Sequence, residues 1–357
     1  MKNLKTQGFV LIDVDVAALN NAGKNTNSDL DNGVATKQIR KNGLTFPYVS
    51  GQAWRYWWRN TLQKDFDWSL SPIERETKIA FTAADPISYA DDDVFGYMKA
   101  ATEEVTDEKG KTKKENVTVT RISPLKNSAI IAVTAARPVE NWSSMSRQEG
   151  DAVPYTKQEY SAIMKGMFSL DLEQIGTFAS YNKTGFKNLS EKLRKEALAK
   201  GATEIADNHL IGAKGEVHKL VRLDKETRTK RITETIAALK TISGGAMQTN
   251  NMADVTPKFV ILATMASGNH PFSHIAVNSG IDGSRFELNT EGISEVISDY
   301  AAQFLGKIFI GIRSGFLDKD TLEALQVVVE THKENTELLS VNEAIDQYIE
   351  QVKSQVQ

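Results

Sequence analysis

Residues 47–59, PYVSGQAWRYWWR, combine a helix start with two arginines one turn apart, a pattern that can bind an anion. Pro47 ends any preceding helix and Ser50 is a favourable N-cap, so the sequence predicts that a helix begins directly afterwards. The free amides of its first turn would point at a bound phosphate, and Arg55 and Arg59 would supply charged donors beside it. The stretch is therefore a candidate site for an anion, particularly a repeated phosphate.

Helical spacing divides this stretch into an apolar and a polar face. At about 100° per residue, one side carries Trp54, Trp57, Trp58 and Leu62, and the other carries Gln52, Arg55, Tyr56 and Arg59. The alternative is that the tryptophans are ordinary core and the arginines an ordinary solvated face, because Ser-Gly before a helix is a weak motif on its own. Whether Tyr56 packs or touches a ligand also stays open.

Two other patterns resemble chemical sites but lack their context. His270 and His274 have the spacing of a helical metal-binding pair, but Pro271 between them disfavours helical geometry, so we expect a loop pair without a metal. GKT at 110–112 resembles the end of a phosphate-binding loop, yet Val105 stands where that motif requires glycine. We expect a solvated loop there.

The carboxylates offer no clearer catalytic group. Residues 91–93 are three aspartates, and we expect a turn before an aromatic core anchor at Phe95. Asp29 and Asp31 lie in a polar stretch where carboxylates are usually solvated. The chain has no cysteine and none of the common hydrolase, zinc-protease or nucleotide-binding motifs. The sequence therefore predicts no catalytic residue, no metal and no cofactor.

Composition places the chain among globular proteins, because 40% of its 357 residues are hydrophobic and a sizeable core is possible. The absence of cysteine suits a reducing cytoplasm, which is where we expect the protein. No apolar run approaches the roughly 20 residues that a membrane span needs, so we expect no anchor and no signal peptide.

The net charge of −3 hides an uneven distribution. Residues 1–60 carry eight Lys or Arg against four Asp or Glu, and residues 182–231 carry thirteen against seven. Residues 315–357 carry three against nine. Two basic segments and an acidic tail predict that one surface holds an anionic polymer while another faces protein neighbours.

The predicted elements that would position these residues follow the order strand, helix, strand, strand, helix, strand. Their predicted ranges are 8–16, 51–64, 128–136, 168–178, 225–240 and 256–267. This α+β order is that of RRM or ferredoxin-like folds. The third strand, FSLDLEQIGTF, lacks the aromatic signature with which an ordinary RRM stacks bases. If the protein binds RNA, loops and protrusions must hold it.

Three segments interrupt this order. Residues 20–43 predict a long loop or irregular hairpin whose cations could supply phosphate contacts beside Arg55 and Arg59. Residues 65–126 show no sustained period, and the basic segment 181–222 shows no continuous apolar face, so we expect a protrusion there. After a helix at 291–305 and a strand at 308–312, two helices end the chain, the last with a capping box at Ser340 and Glu343.

Several motifs in this order resemble one known family. They are NNAGK, PYVSGQAWRYWWR, DDDVFGYM, TRISPLKNSAI and ISGGAMQTNNMADVTPKF, within a resemblance that extends from about residue 8 to 312. Together they are similar to the Cas-seven family, in its DevR or Cst-like branch. These proteins are backbone subunits of type I-B Cascade, the CRISPR surveillance complex.

The resemblance implies an RRM-like palm with finger and thumb insertions and C-terminal helices. Its boundaries here are 1–64, 128–180 and 223–313 for the palm, 65–127 for the finger, 181–222 for the thumb and 314–357 for the helical tail.

The resemblance also implies the RNA-binding residues. These are Ser50, Gln52, Arg55 and Arg59 at the helix start, Asn20, Lys24, Lys37 and Arg40 in the preceding loop, and Gly244, Gly245, Met247 and Gln248 in a glycine-rich loop beside the guide.

The function implied is binding without cutting. Such a subunit polymerises as a helical filament along the CRISPR guide RNA, contacts other Cascade subunits, and presents the guide for pairing with target DNA in antiviral defence or guided transposition. Two alternatives stay open: a type III-like subunit that cleaves target RNA, and a protein-only scaffold.

Overall fold

The computed structural model describes residues 3–28, 30–76, 79–100, 102–106, 112–116, 118–147, 149–182, 187–212, 215–280 and 283–356. The chain divides into two compact units. Unit 1 comprises residues 1–61, 127–169 and 236–351, and unit 2 comprises residues 62–126, 170–235 and 352–357.

The helices and strands are numbered in chain order. The α-helices are α1 Gly51–Asp65, α2 Ala90–Phe95, α3 Glu191–Ala199, α4 Lys225–Ala237, α5 Gln248–Asn251, α6 Thr290–Asp299, α7 Lys319–Thr331 and α8 Val341–Gln355, and three 3₁₀ turns lie at Ala238–Lys240, Pro271–His274 and Ala301–Gln303. The strands are β1 Lys5–Ala17, β2 Asn21–Lys24, β3 Gly33–Thr36, β4 Gln38–Lys41, β5 Leu44–Val49, β6 Ile73–Arg75, β7 Ala80–Thr82, β8 Tyr97–Lys99, β9 Thr102–Thr106, β10 Thr112–Asn116, β11 Val119–Arg121, β12 Leu125–Asn127, β13 Ile130–Ala132, β14 Val139–Met145, β15 Val153–Asp171, β16 Thr177–Ala179, β17 Thr203–Ile211, β18 Val217–Arg222, β19 Phe259–Met265, β20 Ala276–Ser279, β21 Arg285–Leu288, β22 Ile308–Ile312 and β23 Thr336–Leu339.

Unit 1 is built on one large sheet in which the strands follow the order β23-β22-β19-β1-β15-β13-β5-β4. At its centre β1 and β19 are antiparallel, with Lys5 opposite Met265 and Leu11 opposite Phe259. The edge pair β22 and β23 is parallel. Off this path, β14 pairs with the first half of β15, and β3 pairs with both β15 and β2.

Both faces of the central strands are covered by side chains. On one face, Phe9 and Leu11 of β1 belong to a buried cluster with residues of β19, β22, α6 and α7. On the other face, Gly8 lies against the ring of Phe168, and that ring contacts Trp58 of α1 with centroids 5.1 Å apart. This two-sided burial explains why every residue of β19 is apolar or small and buried.

The structure lengthens some predicted strands of unit 1 and shortens others. The segment 20–43 was predicted to be a long loop or an irregular hairpin. It forms β2, β3 and β4, so the hairpin describes it better. The predicted strand 128–136 keeps only Ile130–Ala132, while the one predicted at 168–178 begins at Val153 and ends at Asp171. Its first half pairs with β14, whose side chains are almost all exposed, and a strand without a buried face leaves little apolar alternation in the sequence.

The tail beyond residue 313 is not purely helical, which corrects the sequence interpretation. Between α7 and α8, the strand β23 joins the sheet edge beside β22. The predicted capping box is confirmed, because Ser340 Oγ donates to Glu343 Oε2 at 2.7 Å and the Ser340 amide donates to the same oxygen at 3.2 Å. Among the described residues, no helix has the length and apolarity required to span a bilayer.

Unit 2 contains small sheets and its own apolar clusters. The strands β16, β18 and β17 form one sheet, and β8 pairs with β11. Leu189, Ala197 and Val221 pack with Phe178 in a buried cluster. The segment 181–222 therefore contributes core residues to unit 2, which corrects the expectation of a protrusion without an apolar face. Its apolar positions alternate between a helix and two strands, so no single period revealed them.

The three aspartates at 91–93 form part of α2 and are buried, where a simple turn was expected. Asp93 is fully buried and forms ion pairs with Arg121 and, at 2.7 Å, with Arg231. Its second carboxylate oxygen also accepts the Gly176 amide at 2.8 Å. The aspartate is thus the charged centre of unit 2 and has a structural role.

Candidate nucleic-acid interface

The helix α1 begins where the sequence predicts it. Ser50 Oγ accepts the Ala53 amide at 3.3 Å, and Ser50 O accepts the Trp54 amide at 3.1 Å. The apolar face is buried, with Trp54, Trp57 and Trp58 exposed by 2%, 4% and 0%. The amphipathic prediction is therefore confirmed, and burial of the tryptophans holds the polar face in a fixed position.

Asn127 ties Arg55 to the first turn of α1. Arg55 Nη1 donates to Asn127 Oδ1 at 3.0 Å, while Asn127 Nδ2 donates to Gly51 O at 3.1 Å. Burial, followed by the nearby charge of Arg59, lowers the pKa of Arg55 to about 10. Two guanidinium groups that repel each other in a partly buried place favour an anion that would interact with both.

Asn20 joins the segment 20–43 to the same helix start. Its Oδ1 accepts the Ser50 amide at 2.9 Å, and its backbone oxygen accepts the Lys37 amide at 2.8 Å. Lys37 O in turn accepts the Tyr48 amide at 3.0 Å. The backbone at Lys37 therefore lies directly beside the start of α1.

The glycine-rich loop meets α1 from the other side. Gly244 lies so close to Trp57 that an added Cβ would be 2.2 Å from the indole Cδ1. The Ala246 amide donates to Leu19 O at 2.9 Å, next to Asn20 in the chain. Three segments that are distant in sequence thus converge on one helix start.

Gln248 closes this loop. Its Nε2 donates to Gly244 O and, at 3.1 Å, to Ala253 O. Met247 precedes it in the left-handed region with φ 57°. The structure therefore gives the Gln248 amide a role in the shape of the loop, in addition to the predicted contact with RNA.

Two predicted cations lie at exposed strands of the sheet. Lys24, in β2, pairs with Asp31 at 2.8 Å, and both side chains are exposed. Arg40 is exposed in β4.

On α1, Gln52 is exposed and Tyr56 is 65% exposed, so Tyr56 does not pack into the core. An exposed ring beside two arginines can stack on a base.

Sequence reasoning missed Asn127 and Leu19 as members of the site. Both act through contacts between segments far apart in the chain, and neither has a spacing that marks it. The asparagine ends a short strand, where a polar residue is usual, so no local signal identifies its role.

Of the two candidate histidines, His270 has a structural partner. His270 Nε2 lies 2.9 Å from Gly8 O at the start of a 3₁₀ turn that includes His274. In the described parts of the chain, no group of three or more His, Asp or Glu side chains is arranged to hold a metal ion. Asp29, like residues 110–111 of the GKT stretch, lies outside the described residues.

Gly244→Ala is expected to lower the free energy of unfolding by about 1–3 kcal/mol, because the new methyl group must displace the buried Trp57 ring. Gly268→Ala is the matched control, since its Cβ would meet only Lys5 Cε at 3.8 Å. Urea unfolding of both variants measures the difference. Equal stability of the two variants would contradict the contact between the glycine loop and α1.

The family model described as "CRISPR-associated negative auto-regulator DevR/Csa2" matches residues 10–280, about three quarters of the chain. No curated protein matches the chain in sequence.

Among solved structures, the fold is similar to a chain of a "CRISPR RNA-guided surveillance complex, pre-nicking", with a TM-score of 0.50, 10% identity, and 97% of this chain and 99% of the other covered. A chain of a "CRISPR RNA-guided surveillance complex" has a TM-score of 0.49 and 11% identity, with 98% and 99% covered.

Proposed function

We propose that this chain, which belongs to the CRISPR-associated DevR/Csa2 family, binds CRISPR guide RNA as a backbone subunit of a surveillance complex. The observation that carries the proposal is the convergence of the segment 20–43, the start of α1 and the glycine-rich loop. The paired guanidiniums of Arg55 and Arg59, on a helix whose N-terminal end is close by, suit successive phosphates of one strand. The site offers few side chains that would read a base sequence. This suits a subunit that must bind guides of any sequence.

The finer assignment is a Cas-seven subunit of type I-B Cascade with an RRM-like palm. The strand order β19-β1-β15-β13, with helices α1 and α4 in the two crossovers of the chain, supports such a palm. Because central strands are covered on both faces, the guide would run along the loops at the helix start.

For the thumb, the hairpin of β14 and β15 is a better candidate than residues 181–222. The hairpin exposes Val139, Trp142 and Met145 by 61%, 67% and 57%. Aromatic and Met side chains are enriched where proteins contact other molecules. We infer that the hairpin contacts the guide and a neighbouring copy in a helical filament, while other Cascade subunits and target DNA bind the assembled complex.

We propose that the protein protects RNA and does not cut it. Asp31 lies in the segment where a type III-like subunit would place a catalytic carboxylate. Its side chain is exposed and paired with Lys24. We expect no cleavage of complementary RNA or DNA with Mg²⁺ or Mn²⁺, as measured on labelled strands. Regularly spaced cuts that disappear in Asp31→Ala or Asp29→Ala would contradict this and favour the nuclease alternative.

The binding function is tested with a repeat-spacer transcript and a DNA duplex of the same sequence. The protein is expected to bind the single-stranded RNA, with an affinity that falls as salt rises, and to protect it from ribonuclease at regular intervals. A protein-only scaffold would neither bind nor protect this RNA.

A further inference from the structure

The β15 residues from Thr156 to Glu159 form a junction at the base of the β14 hairpin. Because side chains alternate along a strand, neighbouring residues face opposite sides. Thr156 Oγ1 lies 2.9 Å from Ser28 Oγ, and Gln158 Oε1 accepts the Thr36 amide at 3.1 Å. This side of the strand therefore contacts the segment 20–43.

The opposite side carries a buried ion pair that contacts α5, the short helix directly after the glycine-rich loop. Lys157 Nζ lies 2.8 Å from Glu159 Oε1, and the two side chains are only 11% and 7% exposed. Lys157 Nζ also donates to Asn251 Oδ1 at 3.3 Å, and Asn141 Nδ2 donates to Glu159 Oε2 at 2.7 Å. One ion pair thus links the hairpin to α5.

The segment that Lys157 holds has an unfavourable backbone. Met247 and Met252, on either side of α5, adopt left-handed φ values of 57° and 46°. Such conformations are unfavourable for residues other than glycine and persist only where surrounding contacts maintain them. Asn251, the last residue of α5, is the point at which Lys157 supplies such a contact.

We propose that Lys157 and Glu159 are positioning residues that hold the glycine loop in its RNA-binding geometry, and that Lys157 does not contact guide phosphate. The inference rests on the proposed guide binding. The ammonium of Lys157 is already engaged by a carboxylate and an amide oxygen. Burial would raise the pKa of Glu159, but Lys157, Asn141 and Asn251 together hold it below its usual value, so the pair stays ionised.

The test compares wild type with the double variant Lys157→Met/Glu159→Gln, which removes both charges and leaves neither buried alone. If the freed loop occupies its binding geometry about a tenth of the time, RNA affinity falls about tenfold. The slope of log affinity against log salt should stay that of wild type. Removal of a phosphate contact would instead reduce the slope by about 0.7, and that result would overturn the proposal.

Amide hydrogen exchange of residues 246–252 without RNA supplies the second measurement. We expect faster exchange in the double variant and in Asn251→Ala. The latter keeps the ion pair, so it still tests the contact with α5 if the double variant does not fold. Unchanged exchange or unchanged affinity in folded variants would overturn the proposal. If wild type itself does not bind RNA, the proposed function fails, while the exchange result still decides whether Lys157 and Glu159 hold the loop.

Discussion

Asp93→Ala is expected to lower the free energy of unfolding of unit 2 by about 3–5 kcal/mol, the usual cost of removing one partner from a buried ion pair. The side chain is fully buried, and its partners Arg121 and Arg231 are only 3% and 8% exposed. Both arginines also donate to backbone oxygens, including Thr177 O at 3.0 Å and Pro86 O at 2.8 Å. They would remain in place as uncompensated charges.

Urea unfolding and amide exchange of residues 174–180 measure this destabilisation. Glu330→Ala is the matched control, because Glu330 also forms an ion pair, with Lys333 at 2.9 Å, but both side chains are exposed. Exposed pairs contribute little to stability, so this variant should unfold like wild type. If Asp93→Ala resembles the control, Asp93 is not the charged centre of unit 2.

Arg55→Ala/Arg59→Ala is expected to weaken RNA binding roughly a hundredfold, as the removal of two charge-assisted hydrogen bonds of about 1.5 kcal/mol each would do. Because the double variant no longer binds two phosphates of a single strand, the slope of log affinity against log salt should fall by about 1.4. The fold should persist, because burial and Arg59 already disfavour the charge of Arg55 in the free protein.

The control is Lys319→Ala/Lys333→Ala. It also removes two positive charges, but at exposed positions at the start of α7 and just after its end. It separates local contact from the general attraction between the protein and RNA. Equal affinities and slopes for the two double variants would show that Arg55 and Arg59 form an ordinary solvated face.

The start of α1 could be predicted from sequence because its signals are local. Pro47, Ser50 and the spacing of the tryptophans determine where the helix begins and which face is buried, and the structure agrees. The polar composition of β14 and of the first half of β15 concealed both strands, and nothing near Thr336 marked a strand that pairs with β22.

The interior of the site could be predicted only in part. Arg55 and Arg59 share a helix face, which a period reveals, but Asn127 reaches Arg55 from a distant segment. Likewise, three adjacent aspartates resemble a polar turn until Arg121 and Arg231 are placed beside Asp93. Contacts between distant segments depend on the completed fold, and one sequence carries no local signal for them.

The most direct test of guide binding is the nucleic acid that the protein retains when purified from cells that express a CRISPR array. The absorbance ratio at 260 and 280 nm detects retained nucleic acid, and sequencing identifies it. We expect wild type to carry RNA with repeat and spacer sequence, and Arg55→Ala/Arg59→Ala to carry much less. Wild-type protein free of RNA, or with the same unselected RNA as the double variant, would contradict guide binding at the start of α1.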